Sequence, residues 1–292
     1  MMMGDELKTR HATEEDLDVF VDFAYRINRQ LERSSSFCSK SEHSIRIDLL
    51  GSIEHQGLAG AWKSGVLIGI ISTYKDELKH NIDCFILIDS NLCNYDETAK
   101  LLLDYMRKGI DQQFHFTFFF SKENVECSTF LKSLNAFQKP NEYGLLLIKE
   151  NKSHGVKSDT IQLLPALYHQ KFIELHDEIF PDVYISGKEI IDSLGKNRHV
   201  FAWIEDDQIK AYSVLFLRGN LRATAEIIAV HQDFRGKGLG KKILNHLIHA
   251  AFYDFGLEAV DLIVDSDNLN ALKLYLDIGF AIEFENHCYI LS

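Results

Sequence analysis

The stretch FRGKGLG, Phe234–Gly240, has an unusual composition, because three glycines, one arginine and one lysine fill five of its seven positions. It follows the apolar run EIIAV (226–230) and precedes the segment KKILNHLIHAAFYDF (241–255). In that segment the apolar residues recur with the period of a helix; they are Ile243, Leu244, Leu247, Ile248, Ala251, Phe252 and Phe255. The pattern predicts a strand, a glycine-rich loop and a helix that begins close to Gly240.

The beginning of such a helix can bind an anion. The first amides of a helix have no internal partner, and the helix dipole adds partial positive charge there. Glycines let the backbone approach an oxyanion closely, because no Cβ stands between them. Four basic side chains lie in or beside the loop: Arg235, Lys237, Lys241 and Lys242. The sequence therefore predicts a phosphate-binding loop; a glycine turn that only joins strand to helix is the structural alternative.

Two familiar phosphate-binding loops do not fit the spacing. A nucleoside-triphosphate loop needs GxxxxGK followed by Ser or Thr, whereas Gly240 is followed by two lysines. A dinucleotide-binding loop needs GxGxxG directly after the strand. Here the spacing is Gly236-x-Gly238-x-Gly240, and HQDF (231–234) separates strand from loop.

Composition narrows the class of protein. The chain has 292 residues, 46% of them apolar, which suffices for one large or two ordinary domains. The net charge of −12 argues against a nucleic-acid partner. No apolar run is long enough for a membrane span, and the first residues show no signal-peptide pattern. Five cysteines without a CxxC spacing indicate a reduced, cytoplasmic protein without disulfides or a metal site. His246 and His249 lie off the apolar stripe and are expected to be solvated.

The chain repeats itself. FFFSKENVECSTFLKSLNAF (118–137) is similar to LIVDSDNLNALKLYLDIGF (262–280), with Asn124 and Asn268 separated by 144 residues. Trp62 and Trp203 correspond at an offset of 141. With the polar stretch 150–159 as a linker, this predicts a duplicated domain, 1–150 and 160–292. The same offset places NLCNYD (91–96) under RGKGLG (235–240), so the first half is expected to have lost the phosphate site. Strands mixed with helices predict an α/β or α+β sheet with helices packed on it.

Two motifs carry a resemblance to a known family. The segment 227–244, IIAVHQDFRGKGLGKKIL, resembles the acetyl-coenzyme A signature of the GCN5-related N-acetyltransferase (GNAT) superfamily, in which Arg235, Gly238 and Gly240 fill the motif positions. The segment 268–280, NLNALKLYLDIGF, is similar to the family's second motif, N-x-x-A-x-x-L-Y-x-x-x-G-F. The resemblance covers residues 160 to 292; in the first half it rests mainly on the internal repeat.

The resemblance implies two tandem acyl-CoA N-acyltransferase (GNAT-like) domains, each a mixed, mostly antiparallel sheet flanked by helices. It also implies that the second half binds acetyl-CoA, with the strand beside the pantetheine arm and the loop amides on the pyrophosphate. The residues implied in this binding are Ile228, Ala229, Val230, Arg235, Gly236, Lys237, Gly238, Leu239, Gly240, Lys241, Asn268 and Ala271. No metal is implied. Capping of a helix would explain Asn268 nearly as well.

Two residues are candidates for proton transfer. By the resemblance, Tyr275 would protonate the departing thiolate while an amine attacks the thioester directly. Glu226 could take the amine's proton, since strand alternation predicts that it shares a face with Ile228 and Val230. Both have ordinary alternatives: Tyr275 as a packing residue and Glu226 as a solvated strand residue. The acidic and aromatic segment HDEIFPDVYISG (176–187) would suit a cationic acceptor, or is a solvated loop.

The sequence thus predicts an N-acetyltransferase that acts on a primary amine, of a small cationic molecule or a peptide, as a monomer or homodimer. The degenerate first half would stabilise the pair. The layout resembles that of mycothiol synthase-type enzymes, but this does not carry over an acceptor. A non-catalytic acyl-CoA sensor is the alternative. An aminoacyl transferase of cell-wall synthesis would need a basic surface for transfer RNA, and the acidity counts against it.

Overall fold

The computed structural model describes residues 7–149, 155–181 and 183–292. The elements of the first half are, in chain order, β1 (Leu7–His11), α1 (Leu17–Asn28), α2 (Glu42–Glu54), β2 (Leu58–Lys63), β3 (Val66–Asp76), β4 (Asn81–Ile88), α3 (Tyr95–Arg107), β5 (His115–Ser121), α4 (Val125–Ser133), β6 (Phe137–Gln138) and β7 (Glu142–Ile148).

The second half contains almost the same order of elements. They are β8 (Ile161–Leu163), α5 (His169–Ile179), α6 (Gly187–Asp192), β9 (Arg198–Glu205), β10 (Gln208–Arg218), β11 (Arg222–Val230), α7 (Leu239–His249), β12 (Ala259–Asp265), α8 (Leu269–Ile278) and β13 (Ala281–Leu291). The helices α3 and α7 begin 144 residues apart, at Tyr95 and Leu239, and so do α4 and α8. The offset found in the sequence is therefore the offset between equivalent helices.

The backbone divides into two compact units. One runs to Glu142 and includes Phe284–Ser292, and the other is Tyr143–Glu283. These bounds differ from the predicted 1–150 and 160–292, because β7 belongs to the second unit and the end of β13 to the first. An apolar pattern identifies a terminal strand but does not indicate which sheet the strand joins.

The first unit is a sheet with helices on both faces. Its strand order is β1-β2-β3-β4-β5-β13. Only β4 and β5 pair in parallel; the other pairs are antiparallel. Helices α3 and α4 contribute to the core on one face, and α1 and α2 to the core on the other.

The second unit has the same plan. Its strand order is β7-β12-β11-β10-β9-β8, in which β11 and β12 pair in parallel and β11, β10, β9 and β8 pair antiparallel. Helix α7 packs on one face of the sheet, and α5 and α6 contribute to the core on the other. The predicted α/β (α+β) class, with a mixed, mostly antiparallel sheet flanked by helices, is confirmed. Among the described residues no helix is long and apolar enough to span a bilayer.

β7 belongs to the second unit and the end of β13 to the first. We expect this assignment to determine which fragment of the chain folds. Leu145 and Leu147 of β7 lie in the core of the second unit and are only 1% and 2% exposed. A fragment of residues 156–292 lacks both, and loss of one buried leucine side chain costs about 2–5 kcal/mol out of a typical stability of about 5–15 kcal/mol. It should aggregate, whereas the fragment 143–283 should remain soluble and unfold cooperatively on heating. Equal thermal stability of the two fragments would contradict this assignment of β7.

Candidate active site

A gap opens in the sheet of the second unit between β11 and β12. The two strands pair only over Arg222–Thr224 and Ala259–Asp261. At the last pair the Thr224 hydroxyl donates a hydrogen bond of 2.5 Å to Asp261. From Ala225 onward β11 has no paired residue on β12, so the backbone groups on this edge of the strand are available to another extended chain.

A β-bulge sits at the point where the strands part. The register between β10 and β11 shifts at Val214 and Leu215, which pair with Ile227 and Ala225 and leave Glu226 as the extra residue. Ile228 packs against the core under α7. Glu226 instead contacts Tyr184 and Arg198, on the side of α5 and α6. The predicted common face for Glu226, Ile228 and Val230 is therefore wrong, because a bulge interrupts the alternation of side chains.

The glycine loop takes backbone conformations that favour glycine. Gly236 and Gly238 have φ angles of +75° and +77°. A Cβ added at either residue would meet no atom within 4 Å. The positive φ, and not crowding, therefore explains the glycine at both positions. The predicted strand, loop and helix follow one another as expected, and α7 begins at Leu239.

The first turn of α7 has free amides and positive charge. Gly238 is the N-cap and has no side chain to accept from these amides. The amide of Lys242 is the first to bond backward, to the Gly238 carbonyl at 3.2 Å. The basic residues Arg235, Lys237, Lys241 and Lys242 are all exposed. The loop can therefore hold a polyanion with backbone donors and surrounding cations.

The equivalent helix of the first unit begins differently. Its N-cap is Asn94, whose side chain accepts a hydrogen bond of 3.0 Å from the Glu97 amide. Asp96 and Glu97 lie in this first turn, where α7 has Gly240 and Lys241. A capped and acidic helix start repels an anion, so the two units differ at the position where an anion would bind.

Tyr275 lies on α8, directly after Leu274, the residue of this helix that approaches the loop. A Cβ added at Gly240 would lie 3.7 Å from both Leu274 of α8 and Val230 of β11, which fixes α8 beside the strand and the loop. The Tyr275 ring packs edge to face against Phe280 at 6.0 Å between centroids. Burial raises the pKa of Tyr275 to about 12. The hydroxyl has no hydrogen-bond partner among the described residues and keeps its proton at neutral pH.

Glu226 is held by two neighbours. Arg198 donates from Nε to Oε2 at 2.7 Å and from Nη2 to Oε1 at 2.9 Å. The Tyr184 hydroxyl donates to Oε1 at 2.5 Å. Partial burial of that hydroxyl, and then its hydrogen bond to Glu226, raises the pKa of Tyr184. Oε2 keeps one free lone pair, but the Glu226 side chain is only 6% exposed, so an amine reaches it through water or after Tyr184 or Arg198 moves. Sequence reasoning missed Arg198, because a residue 28 positions away on another strand leaves no local signal.

The remaining predicted residues have structural contacts. Asn268 caps α8, accepting a hydrogen bond of 3.2 Å from the Ala271 amide. In the segment 176–187, Asp177 accepts from the Gly187 amide at 2.7 Å, and Asp182 lies outside the described residues. His246 was expected to be solvated but is buried, with Nδ1 accepting from the Ser158 amide at 3.2 Å. Residues 7–149, 155–181 and 183–292 contain no group of three side chains placed to bind a metal ion.

Comparisons with known proteins agree with this geometry. Residues 165–280 match the model of the acetyltransferase (GNAT) family. A GCN5-related N-acetyltransferase from Sphaerobacter thermophilus superposes with a TM-score of 0.77 at 10% identity, over 99% of this chain and 96% of that one. A tandem GNAT protein from the clavulanic acid biosynthesis pathway gives 0.65 at 13% identity, over 98% of both chains. A GNAT acetyltransferase from Colwellia psychrerythraea gives 0.57 at 14%, over 98% and 100%.

A search of curated proteins found no match. Residues 165–280 match the GNAT family model, and the chain as a whole has the fold of the solved GNAT proteins. The family implies acyl transfer from an acyl-coenzyme A.

Proposed function

We propose that the protein is an acetyl-CoA-dependent N-acetyltransferase that acetylates the primary amine of a small cationic acceptor. One observation carries the proposal: the free amides of the first turn of α7 lie next to the gap between β11 and β12. A loop that only joined strand to helix would not need an uncapped helix start beside an open strand edge. The first unit keeps the strand and helix but not the uncapped start.

The residues fit the coenzyme in two parts. The backbone of Ile228, Ala229 and Val230 lies on the open part of β11 and can pair with the amide groups of the pantetheine arm. The amides of 236–241 would hold the pyrophosphate, with Arg235, Lys237 and Lys241 supplying charge. When bound, acetyl-CoA supplies the activated acyl group. Asn268 and Ala271 would line the site through the start of α8, although their observed contact is a helix cap.

The proton transfers follow from the two side chains already described. The neutral amine attacks the thioester carbonyl, a C–N bond forms, and the C–S bond breaks. Tyr275 donates its proton to the departing sulfur and regains one from water; the hydroxyl is protonated at neutral pH. Glu226 accepts the proton that the amine loses, through water, or directly once Tyr184 or Arg198 has moved aside.

The surroundings support a cationic acceptor. Tyr184 as a residue is 62% exposed, and its hydroxyl is bonded to the Glu226 carboxylate; an exposed aromatic residue beside a carboxylate attracts organic cations. The net charge of −12 steers cations toward the protein and anions away from it. The proposed setting is the cytoplasm, without a nucleic-acid or membrane partner. The five cysteines of the chain are all free thiols, as expected in that compartment.

The amine-dependent release of coenzyme A tests this function. The full chain is mixed with acetyl-CoA and a panel of polyamines, amino sugars and peptides, and free thiol is followed with a chromogenic disulfide. We expect release that depends on both protein and amine, and that is roughly 100-fold slower in a Tyr275→Phe chain. Tight acetyl-CoA binding without release for any amine would favour a non-catalytic sensor. Release with peptides alone would make a peptide amino group the acceptor.

A further inference from the structure

The first unit contains a cavity of about 840 Å³, a size typical of small-molecule sites. Its walls come from the end of α2, the outer ends of β3 and β4, and the end of α3. The lining residues on the α2 side are Phe37, Ile47, Gly51, Ser52, Ser72, Tyr74, Asp83 and Phe85. The region equivalent to the glycine loop, 91–96, follows the opposite end of β4 and does not line the cavity. The cavity is therefore separate from the lost phosphate site.

The α2 side of the cavity is mainly apolar. Phe85 packs with Ile45 and Leu49 of α2 in the core of this face. Ile47 and Tyr74 line the cavity yet are 59% and 68% exposed, so two large side chains lie uncovered at its mouth. The hydroxyls of Ser52 and Ser72 are hydrogen-bonded to each other at 3.0 Å. This wall offers a surface for the apolar or aromatic part of a ligand.

Gly51 leaves room for this apolar part of a ligand. It lies in the interior of α2, where glycine costs about 0.5–1 kcal/mol relative to alanine. A Cβ added at Gly51 would meet no atom within 4 Å, and its φ is not in the left-handed region. Neither crowding nor backbone conformation accounts for this glycine. A side chain there would project into open space at the cavity wall.

Asp83 is the charged residue that β4 contributes to the cavity, whose lining also contains Asp48, Lys75 and Lys108. It is partly buried, and its Oδ1 accepts a hydrogen bond of 2.8 Å from the Asn81 amide group. Burial raises the pKa of the Asp83 carboxyl, and Asn81 offsets only part of this effect. No lysine or arginine in the described ranges forms an ion pair with it. The charge of nearby Asp76 raises this pKa further and that of Lys79 lowers it to a smaller extent, so the carboxylate has no directly ion-paired cation.

We propose that this cavity binds a small organic cation, a protonated amine that carries an apolar body, with Asp83 as its counter-ion. The ammonium group lies at Asp83, and the body rests on Phe37 and Phe85 beneath the mouth formed by Ile47 and Tyr74. The ammonium charge gives the Asp83 carboxylate an ion-paired cation, and the apolar part of the ligand covers exposed side chains. This site requires neither acetyl-CoA nor the activity proposed for the second unit.

Calorimetry on the full chain tests the site with phenethylamine, tryptamine and hexylamine as probes. Phenethylamine should bind at least about 10-fold more tightly than 2-phenylethanol, which has the same body without the charge. Asp83→Asn should weaken phenethylamine binding by at least about 10-fold, whereas Asp22→Asn should not, although it changes the net charge equally. Asp22 is exposed on α1 and does not line the cavity.

Gly51→Leu separates occupancy of the cavity from loss of fold. The leucine side chain should enter the open space and abolish amine binding, while the melting temperature stays equal or rises because leucine favours a helix. Loss of amine binding in both the Gly51→Leu variant and the Asp83→Asn variant supports the site. Absence of binding for all three amines at millimolar concentration overturns the proposal. Amine binding that survives both Gly51→Leu and Asp83→Asn also overturns it and places the amine elsewhere.

Discussion

Gly238→Asp should weaken acetyl-CoA binding by roughly 100-fold while the second unit stays folded. The aspartate would stand at the N-cap of α7, beside the amides proposed to hold the pyrophosphate. A like charge at about 6 Å costs about 2–3 kcal/mol at the effective dielectric of a protein surface. A Cβ at this position meets no atom within 4 Å, so the strain of the variant comes from the positive φ and not from a clash at Cβ. Calorimetry with acetyl-CoA gives the affinity, and thermal unfolding gives the stability.

Gly238→Asn is the matched control for this variant. Asparagine has the shape of aspartate and tolerates the positive φ of +77° about as well, but adds no charge. It also copies Asn94, which caps the equivalent helix of the first unit. Binding should fall by about 10-fold or less, because the side chain competes for the amides without repelling phosphate. Equal losses in the two variants would mean that charge at this position is irrelevant and that the loop does not hold the pyrophosphate.

The calorimetric titration with acetyl-CoA also gives the number of coenzyme sites per chain. Because Asn94 occupies one amide and Asp96 and Glu97 surround the others in the first unit, acetyl-CoA should bind once per chain. A stoichiometry of two in the wild-type chain would show that the first unit retains a coenzyme site. A residual site in Gly238→Asp with wild-type affinity would show the same.

Local patterns in the sequence predicted the part of the site that local interactions build. The strand, the loop and α7 follow from a run of β-formers, from glycines at positive φ, and from an apolar stripe with helical period. The start of α8 at Asn268 follows from a side-chain cap three residues from its donor. Each of these features depends on residues within one or two turns of each other, and the internal repeat gave a second copy for comparison.

The features that the sequence did not reveal depend on residues far apart in the chain. The face of Glu226 is set by a bulge that exists only through the pairing of β11 with β10. The partner Arg198 arrives from β9, and the burial of His246 results from the approach of Ser158. The domain bounds depend on which sheet a terminal strand joins. Tertiary contacts decide all of these, and one sequence contains no record of them.

Glu226→Gln is a weaker test of catalysis than the sequence suggested. The carboxylate forms two hydrogen bonds with Arg198, whose side chain is only 17% exposed. Loss of the negative charge leaves this guanidinium partly buried without a counter-ion, which lowers stability as well as any proton transfer. A fall in activity would then have two causes. One result would identify Glu226 as the base: the rate of the variant recovers in part at high pH, where the amine is already neutral.

Tyr275→Phe avoids this difficulty and should lower the turnover number by roughly two orders of magnitude, at the lower end of what general acid catalysis contributes. The change removes one hydroxyl that has no hydrogen-bond partner among the described residues. The ring remains, and with it the edge-to-face contact with Phe280. Stability and the affinity for acetyl-CoA should therefore stay near their wild-type values. Burial raises the pKa of Tyr275 to about 12, so the wild-type hydroxyl is protonated across the usual assay range and can donate to the departing sulfur.

Phe280→Leu provides the contrast, since it removes the ring that packs against Tyr275 and keeps the hydroxyl. Phe280 is only 3% exposed, so this variant should lose stability by about 1–2 kcal/mol, as core substitutions that change shape do. Its turnover number should change far less than that of Tyr275→Phe when both are measured below their melting temperatures with the best amine. If Tyr275→Phe keeps the wild-type turnover number and Phe280→Leu does not, Tyr275 acts by packing, and the proton for the thiolate comes from water.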